Sequence, residues 1–554
     1  MTKLPFRSAF FLFAVVCFSS PLWIMHFQVM GDQSLLLKTD SLIWTGIIIT
    51  AGFLNVIFFP TRWLGFVDGA SLFIKQYFKF IAFIFLLLVL AVLMFVNKKI
   101  LHSFMNSADE HSCYFLAECV RLGKFWAAPH PLSEFFEAVH IGNKNGKWFS
   151  VYPPGWPILM AGALQFRVLD WLNPILTIFS LFLFYRTGKK IFNESAAILG
   201  IALMSFTPFF LFTSASYFSH ASCLLFIAIF LYSFLKWEET KSNLWAALTA
   251  FSAGYGLGTR YLTMASIIAP FLGFLLLRLV LRKVRWHKSH TVFTIIFLVM
   301  WLANLYYNFS ITGNLFDAPN HFYHSWERLG FRKDYTPLTA LIFVLNRFFY
   351  LIDWMPPFFL PLYLVSLFTD KQRTAEQKLL SYGFFYLVIG YLFYYSWGGN
   401  QFGPRYYFEG IPFLFITVSA RMVKWWNTEL HGLKKFILGT MVVSIVSNIY
   451  LFQKQAVLFE RVSNQRKALY DLAEKTIQKP SVIFVRGFLG DALVMSQEDA
   501  IRNRPELNDK ILYALDLGPK NNRLIQYYPD RDFYLGSYDR QQKIPRLVFY
   551  GNPK

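Results

Sequence analysis

The chain of 554 residues carries little charge for its length. Only 15% of its residues are charged, whereas a soluble globular protein carries about 25%. This shortage excludes a soluble enzyme with an apolar core. Disorder is excluded as well, because 55% of the residues are hydrophobic and 20% are aromatic. The composition therefore predicts a polytopic membrane protein that also has some mass outside the membrane.

Cysteine and glycine motifs are also missing. Of the four cysteines, Cys17 and Cys223 lie in apolar runs, and Cys113 and Cys119 share one segment at no recognised metal-ligand spacing. We therefore predict neither a zinc site nor a disulfide framework. No glycine-rich phosphate loop occurs, so no nucleotide-binding site of the Rossmann type is indicated. The sequence predicts no certain cofactor.

The strong positive charge does not point to nucleic acid. The formal net charge is +21, but the excess Lys and Arg falls in short gaps between apolar runs. Membrane proteins concentrate these residues in their cytoplasmic loops. We therefore expect the lipid bilayer, and no nucleic acid, as a partner.

Long apolar runs predict about 13 membrane-spanning helices, each of which needs about 20 mostly apolar residues. The candidate spans are residues 8–29, 42–60, 79–97, 171–187, 195–212, 218–235, 244–259, 261–281, 291–310, 356–369, 379–397, 408–424 and 435–453. With the N-terminus in the cytoplasm, every inner gap is basic. We therefore predict an integral protein of a bacterial inner membrane, with its larger pieces on the outer, periplasmic side.

The same count predicts three units. These are an N-terminal two-span extension (1–78), a transmembrane core (79–453) and a C-terminal unit (454–554). The core carries two outer loops, 98–170 and 311–355. In the tail, the strand-like runs Ser481–Arg486 and Ile511–Asp516 flank a helix-prone stretch, Met495–Asn503. This alternation predicts a small α/β domain outside the membrane, which we interpret as a stabilising or docking cap without a catalytic motif.

Two adjacent acids, Asp109 and Glu110, follow the span 79–97 in the first outer loop. Acids at this depth face protein or water, because lipid-facing carboxylates are costly. One of them can act as a general base on an acceptor hydroxyl or amide. The alternative is structural, since Asp109 is a natural helix N-cap. Residue spacing does not decide between these two interpretations.

The same loop ends in Tyr152-Pro153-Pro154-Gly155-Trp156-Pro157. Three prolines in five residues predict that no regular helix forms there. The apolar run that follows is too short to span a membrane and is expected to lie along its surface or to dip into it. Tyr152 is a candidate residue of a substrate pocket.

Further polar residues occur at predicted outer ends of spans. Arg260 and Arg405 are the basic residues at their helix junctions, and His220 and Glu409 open two helices. Arginine suits bidentate recognition of phosphate, so Arg260 and Arg405 are candidate ligands of a lipid phosphate. The alternative is interfacial snorkelling, or pairing with an acid such as Glu409.

The second outer loop places His321, His324 and Glu327 close together in sequence. Two histidines three residues apart and a glutamate can bind a divalent metal on a helix. A fourth ligand is lacking and aromatic residues are dense, so a wall for a sugar or lipid headgroup is the favoured interpretation. No metal ligand is assigned.

Taken in order, these motifs resemble those of the GT-C membrane glycosyltransferases. The resemblance rests on the Asp109-Glu110 pair, the Tyr152-Pro153-Pro154 element, Arg260 between two helices, and the runs Arg328–Phe331 and Phe402–Tyr407. The chain is similar to bacterial proteins of the protein O-mannosyltransferase and lipid A aminoarabinose transferase group (glycosyltransferase family 39-like). The resemblance spans roughly residues 80–420. The chain departs from the family pattern at Tyr152, where the family carries lysine before the two prolines.

The resemblance implies a membrane glycosyltransferase with a GT-C-like core. Such an enzyme moves a sugar from a polyprenyl-phosphate donor to a protein, lipid or glycan acceptor at the outer face, and we expect inverting transfer of a hexose or pentose. It implies that Asp109, with Glu110 beside it, is the base and that Arg260 and Arg405 hold the phosphate. Two alternatives stay open: a transporter or flippase of a lipid-linked sugar, and a non-catalytic assembly protein on the same fold.

Overall fold

The structure is a computed structural model of the chain. It describes residues 76–324, 329–356, 358–370, 372–395, 399, 401–491 and 494–551, together with 65, 66, 69, 70, 73 and 74. The predicted spans 8–29 and 42–60, most of the predicted unit 1–78, and Glu327 lie outside the described residues.

Helices dominate the described chain, and we number them in chain order. The first nine are α1 (Phe78–Phe95), α2 (Ala108–Arg121), α3 (Gly155–Gln165), α4 (Leu169–Ile191), α5 (Glu194–Ser205), α6 (Pro208–Ala215), α7 (His220–Thr240), α8 (Asn243–Leu257) and α9 (Tyr261–Val280). The next nine are α10 (Lys288–Thr312), α11 (Pro319–Tyr323), α12 (Pro337–Leu351), α13 (Phe359–Thr369), α14 (Ala375–Ser381), α15 (Gly383–Leu392), α16 (Ile411–Trp426), α17 (His431–Thr476) and α18 (Asn521–Tyr527).

Among the described residues, five helices are long and apolar enough to cross a membrane. These are α1 with its π-helical extension to Ile100, α7, α9, α10 and α17. The helical membrane architecture predicted from composition is confirmed. The count of about 13 spans is not confirmed, because the predicted spans 356–369 and 379–397 correspond to the short helices α13 and α15, of 11 and 10 residues.

The predicted span 195–212 is two helices, α5 and α6, whose axes differ by 71°. Pro208 has no backbone N–H to continue the helix, and it occupies the first position of α6. The Thr207 hydroxyl caps α6 by accepting from the Phe210 backbone N–H at 3.3 Å. The bend therefore follows from local sequence that a hydropathy count ignores.

Helix α17 joins the apolar run 435–453 to the polar stretch after it in one helix of 46 residues. At 1.5 Å per residue it is about 69 Å long, more than twice the hydrocarbon thickness of a bilayer. No glycine or proline occurs between Thr440 and Thr476 to end it. The predicted boundary between core and tail at 453/454 thus falls inside a continuous helix.

The tail folds into a four-stranded sheet of β3 (Ser481–Val485), β4 (Ile511–Leu515), β5 (Asp532–Asp539) and β6 (Ile544–Gly551), in the order β4-β3-β5-β6. Strand β3 is parallel to β4 and β5, whereas β6 is antiparallel to β5. Strands β3 and β4 occupy the two predicted strand-like runs.

The helix predicted over Met495–Asn503 is wrong, since that stretch holds only a 3-10 turn at Glu498–Ala500. Competing hydrogen bonds explain the difference. The Asn503 amide donates to the Tyr513 carbonyl at 2.8 Å, and its side-chain oxygen accepts from the Tyr513 N–H at 2.9 Å. These bonds tie the segment to β4 and leave its backbone irregular.

The tail and the first outer loop share one apolar core. That loop contains α2, α3 and a hairpin of β1 (Ile141–Lys144) and β2 (Lys147–Ser150). Buried Phe115 and Phe135 of the loop belong to the same cluster as Leu469, Val482 and Phe484 of the tail. The segment that carries Asp109 is therefore packed between the membrane helices and the C-terminal sheet.

The predicted outer loop 311–355 contains a helix that sequence reasoning missed. Helix α12 begins at Pro337, a favourable first helical residue, and runs for 15 residues. Arg347 interrupts its apolar pattern, which hid it from a hydropathy count. The Arg347 guanidinium lies 5.0 Å from the ring centre of Tyr406, so α12 borders the cavity described next.

Candidate active site

A cavity of about 460 Å³ lies where the first outer loop meets the N-terminal ends of α7 and α9. Its volume falls in the range of small-molecule sites. Asp109, Tyr152, Arg260, Arg405 and His324, which the sequence singled out, all line it. Its other walls include His140, Phe218, Ser219, Thr259, Tyr261, Asn320, Tyr391, Tyr394 and Tyr406. Residues far apart in sequence thus form one aromatic and charged pocket.

The Asp109 carboxylate has a partner on each oxygen. Its Oδ2 accepts from Arg405 Nη2 at 2.8 Å. Its Oδ1 accepts from the Tyr152 hydroxyl and lies 3.2 Å from His140 Nε2. The Asp109 side chain keeps 22% exposure, so it is held in a fixed orientation and still reaches the cavity.

The N-cap interpretation of Asp109 is wrong. Helix α2 is capped by Ser107, whose hydroxyl accepts from the Glu110 backbone N–H at 3.2 Å. Asp109 is the second residue of the helix, and its carboxylate points to Arg405. The helix therefore has a conventional cap without Asp109, and the carboxylate is available for chemistry.

Charge and hydrogen bonds keep Asp109 ionised. Burial would raise its pKa, but the Arg405 cation, a hydrogen bond and charge from His140, and the Tyr152 hydroxyl outweigh burial and hold that pKa well below its usual range. Because the folded-state pKa is depressed, the ionised form stabilises the site at pH values above the usual pKa. That stabilisation is lost as the pH falls through the folded-state value.

Replacement of His140 should change the pH dependence of activity. His140→Ala removes one group that lowers the Asp109 pKa, so loss of activity on acidification should begin at a higher pH than in the wild type. A pH–rate profile from neutral to acidic pH measures this shift. His431→Ala, which changes an exposed histidine at the start of α17, should leave the profile unchanged. Coincident profiles for His140→Ala and the wild type would contradict the assignment.

The buried carboxylate of Glu409 forms an ion pair with Arg260. Arg260 Nε lies 3.3 Å from Glu409 Oε1, which is also 3.0 Å from His220 Nδ1. Glu409 and His220 are completely buried and do not line the cavity. They are therefore placed to orient Arg260 and have no direct access to a substrate there. Arg260 Nη1 and Nη2 each lie 3.3 Å from a cavity hydroxyl, on Ser219 and Tyr391 respectively.

Variants of the Arg260–Glu409 pair should affect the stability of the protein and its activity differently. Arg260→Ala leaves the Glu409 charge buried without its arginine, which typically costs about 3–5 kcal/mol. The double variant Arg260→Gln/Glu409→Gln removes both charges and should regain most of that stability without regaining activity. Thermal unfolding and a transfer assay on the same preparations test this expectation. Recovery of activity in the double variant would show that Arg260 serves only the fold.

The second half of the proline-rich element begins a helix, contrary to the sequence prediction, whereas Tyr152–Pro154 precede it and are not helical. Helix α3 begins at Gly155 and contains Pro157 in its first turn, where backbone N–H groups have no intrahelical partner. The Gly155 N–H donates to the Gly258 carbonyl at 2.7 Å, and a Cβ at Gly155 would lie 2.5 Å from Thr259 Oγ1. This close approach brings Tyr152 to the junction that carries Arg260.

His140 is a site residue that sequence reasoning missed. It has φ +64°, and its carbonyl accepts from Ser112 Oγ at 2.6 Å and from the Val151 N–H at 3.2 Å. A left-handed non-glycine residue stores strain of the kind found at functional sites. The available signal was Asn145-Gly146, a type I′ hairpin dipeptide with φ +53° and +72°. That turn pairs Ile141 with Ser150 and places His140 near Tyr152.

Glu110 does not line the cavity. Its Oε1 accepts from the Tyr217 backbone N–H at 2.7 Å, and its side chain is buried. Burial raises the Glu110 pKa to about 7, against the opposing Tyr217 hydrogen bond and the charges of Arg405 and Arg502. The geometry therefore favours Asp109 over Glu110 as the group that meets a substrate.

The two histidines of the second outer loop are separated by the fold. His324 lines the cavity, with its ring centre 5.8 Å from that of His140, and His321 does not line it. Burial, together with the charges of His140 and Lys144, lowers the His324 pKa to about 4. Within the described residues, no three His, Cys, Asp or Glu side chains are grouped to hold a metal. Since Glu327 is not described, its role stays a prediction.

In sequence, part of the chain resembles membrane glycosyltransferases of the GT-C class. Residues 158–307 match the family model of the dolichyl-phosphate-mannose-protein mannosyltransferases. The match includes Arg260 and helices α7 and α9. It confirms the predicted resemblance to the protein O-mannosyltransferase group. No curated protein matches the chain.

Solved structures that match the chain include ArnT from Cupriavidus metallidurans bound to undecaprenyl phosphate. It has 11% identity and a TM-score of 0.47, and the match covers 83% of this chain and 93% of ArnT. The apo Archaeoglobus fulgidus oligosaccharyltransferase has 12% identity and a TM-score of 0.49, covering 84% and 70% of the two chains. Arabinofuranosyltransferase AftD from Mycobacteria has 11% identity and a TM-score of 0.44, covering 82% and 35%.

Proposed function

We propose that the chain is an inverting membrane glycosyltransferase. It moves a hexose or pentose from a polyprenyl-phosphate carrier to an acceptor at the outer face of a bacterial inner membrane. In this proposal the N-terminus is cytoplasmic, and the cavity and the C-terminal sheet are on the outer side. The basic inner gaps support that direction.

One observation carries the proposal. An ionised carboxylate, Asp109, and two arginines, Arg260 and Arg405, line a single cavity beside apolar helices long enough to span a membrane. A carboxylate can receive a proton from an incoming nucleophile, and arginines stabilise a departing phosphate. The same side chains scattered over the surface would have no common substrate.

The cavity suits a phosphate for two reasons. It lies at the N-terminal ends of α7 and α9, where unpaired N–H groups and the helix dipole favour an anion. In addition, Arg260 and Arg405 line it. An arginine gives a phosphate oxygen charge-assisted hydrogen bonds.

Transfer then proceeds as a displacement at the anomeric carbon. The acceptor oxygen forms a bond to that carbon while the bond from carbon to the phosphate oxygen breaks, and the electron pair leaves with the polyprenyl phosphate. The acceptor proton passes to the Asp109 carboxylate. Arg260 and Arg405 stabilise the charge that develops on the leaving phosphate.

The remaining walls suit a sugar. Tyr391, Tyr394, Tyr406 and Phe218 supply aromatic rings, and Ser219, Thr259 and Asn320 supply polar groups. Ligand pockets commonly combine aromatic walls with a few placed polar groups that fix orientation. This composition supports a monosaccharide bound between the Asp109–Arg405 pair and Arg260.

Mass spectrometry of lipid-linked sugars and envelope glycans tests the proposal. Cells expressing wild type or Asp109→Asn at matched levels are compared, with Asp317→Asn as the matched control. Asp317 follows α10 and is not among the residues that line the cavity. One polyprenyl-phosphate sugar should accumulate in Asp109→Asn cells, and one envelope glycan should lose that sugar. Unchanged pools in Asp109→Asn cells would overturn the proposal.

A further inference from the structure

A half-buried cluster of Arg466, Asp499 and Arg502 lies where the C-terminal unit meets the first outer loop. Asp499 Oδ1 accepts from Arg502 Nη2 at 2.7 Å, and its Oδ2 accepts from Arg466 Nη1 at 3.0 Å. Arg502 Nε also donates to the Asp499 carbonyl at 2.8 Å. The Arg502 side chain is only 6% exposed, so both arginines are fixed by one carboxylate.

The arginines reach out of the tail to main-chain carbonyls of the first loop. Arg466 Nη1 donates to the Asn106 carbonyl at 2.6 Å, and Arg502 Nη1 donates to the Met105 carbonyl. The Arg502 guanidinium also lies 5.0 Å from the centre of the Phe104 ring. Three consecutive residues, 104–106, are therefore held by the cluster immediately before the cap of α2.

Three segments of the chain meet at the Asn106 carbonyl: the first outer loop, the tail and the loop that carries Arg405. The carbonyl also accepts from Gln401 Nε2 at 3.0 Å. Gln401 belongs to the loop that carries Arg405, whose backbone N–H donates to the Gly399 carbonyl at 2.7 Å. Ser107 then starts α2, which presents Asp109. The cluster thus contacts the segment that precedes Asp109 directly, and the shared Asn106 carbonyl links it to the loop that carries Arg405, the partner of Asp109 at 2.8 Å.

We propose that the Arg466–Asp499–Arg502 cluster positions the Asp109–Arg405 pair through the carbonyls of Met105 and Asn106. In this way the C-terminal unit contributes to the geometry of the site. Its consequence for transfer rests on the proposed function. The structural claim, that the cluster fixes the start of α2, does not depend on it.

Docking of the tail does not itself require this cluster. The shared apolar core already joins the two units through residues such as Phe115, Phe135 and Phe484. Apolar burial is non-directional, whereas hydrogen bonds to carbonyls set distance and angle. The cluster therefore fixes the position of residues 104–106 and so of the start of α2. A displacement of about 1 Å at a catalytic site can lower the rate by about 10²-fold.

Amide hydrogen exchange of the full-length protein in detergent or nanodiscs tests the structural claim. Arg502→Ala should speed exchange at residues 107–112 while the protection of β3 and β4 persists. Arg523→Ala is the matched control, because it removes another contact between the tail and the loop, the exposed 2.6 Å pair with Glu134. It should leave exchange at residues 107–112 unchanged.

Transfer kinetics test the functional consequence. Arg502→Ala should lower kcat by about 10²-fold with a smaller change in KM for the donor, and Arg502→Lys should regain part of that loss. Should Arg502→Ala fail to fold, Asp499→Asn and Arg502→Lys make the same test. Unchanged exchange at residues 107–112, or equal losses in Arg502→Ala and Arg523→Ala, would overturn the proposal. If the wild type transfers no sugar, the proposed function fails, and the exchange data still decide the positioning claim.

Discussion

An Asp109→Asn variant should lose transfer activity by about 10²–10⁴-fold, the range that a positioned general base contributes. The amide cannot take the acceptor proton, although it keeps nearly the same shape. It also removes the negative charge that pairs with Arg405 at 2.8 Å. The measurement is the rate of sugar transfer in isolated membranes that contain equal amounts of each protein.

The variant should still fold, because Asp109 does not cap α2. Ser107 holds that position and accepts from the Glu110 N–H. Loss of the charge that pairs with Arg405 at 2.8 Å should lower the unfolding temperature of Asp109→Asn, whereas the control Asp317→Asn should unfold like the wild type. Full transfer by correctly folded Asp109→Asn would remove Asp109 from the mechanism.

Arg405→Ala should reduce kcat by about 10²–10³-fold, the cost of removing one preorganised group that stabilises transition-state charge. Two effects add in this variant. The leaving phosphate loses a cation, and Asp109 loses the charge that contributes most to lowering its pKa. The residual activity should therefore fall at a higher pH on acidification than in the wild type. A pH–rate profile measured beside kcat separates the two effects.

Arg405→Lys tests whether charge alone suffices. The Arg405 guanidinium lies 3.8 Å from the ring centre of Phe218 while it donates to Asp109. A lysine ammonium cannot both stack on that ring and present a planar fork, so Arg405→Lys should recover only part of the activity. Arg531→Ala is the control, because Arg531 makes a similar contact over Tyr528 in the tail. Equal rates for wild type and Arg405→Lys would reduce the role of Arg405 to a point charge.

Sequence reasoning selected five of the twenty residues that line the cavity. Asp109, Arg260 and Arg405 stood out because each is a charged residue at a helix junction in an apolar chain, where charge is costly. Tyr152 stood out through its proline-rich motif. All four line one cavity, which supports their common role without assigning the chemistry of each.

Several site features were beyond sequence reasoning. Which carboxylate meets which arginine was left open, and the pairs Asp109–Arg405 and Arg260–Glu409 depend on the packing of distant helices. His140 was missed because its role depends on a hairpin, not on a neighbouring motif. The positioning proposed for Arg502 depends on a contact with Met105, almost 400 residues earlier in the chain.

The sequence by itself determined the helical membrane character, the positions of strands β3 and β4, and the set of charged residues at helix junctions. These follow from composition, hydropathy and local residue types, which act over a few neighbours. The tertiary structure alone decided that the tail shares a core with the Asp109 loop, and that Asp109 pairs with Arg405 and Arg260 with Glu409. Such outcomes depend on close packing and on hydrogen-bond partners supplied by distant segments, and local sequence patterns do not record them.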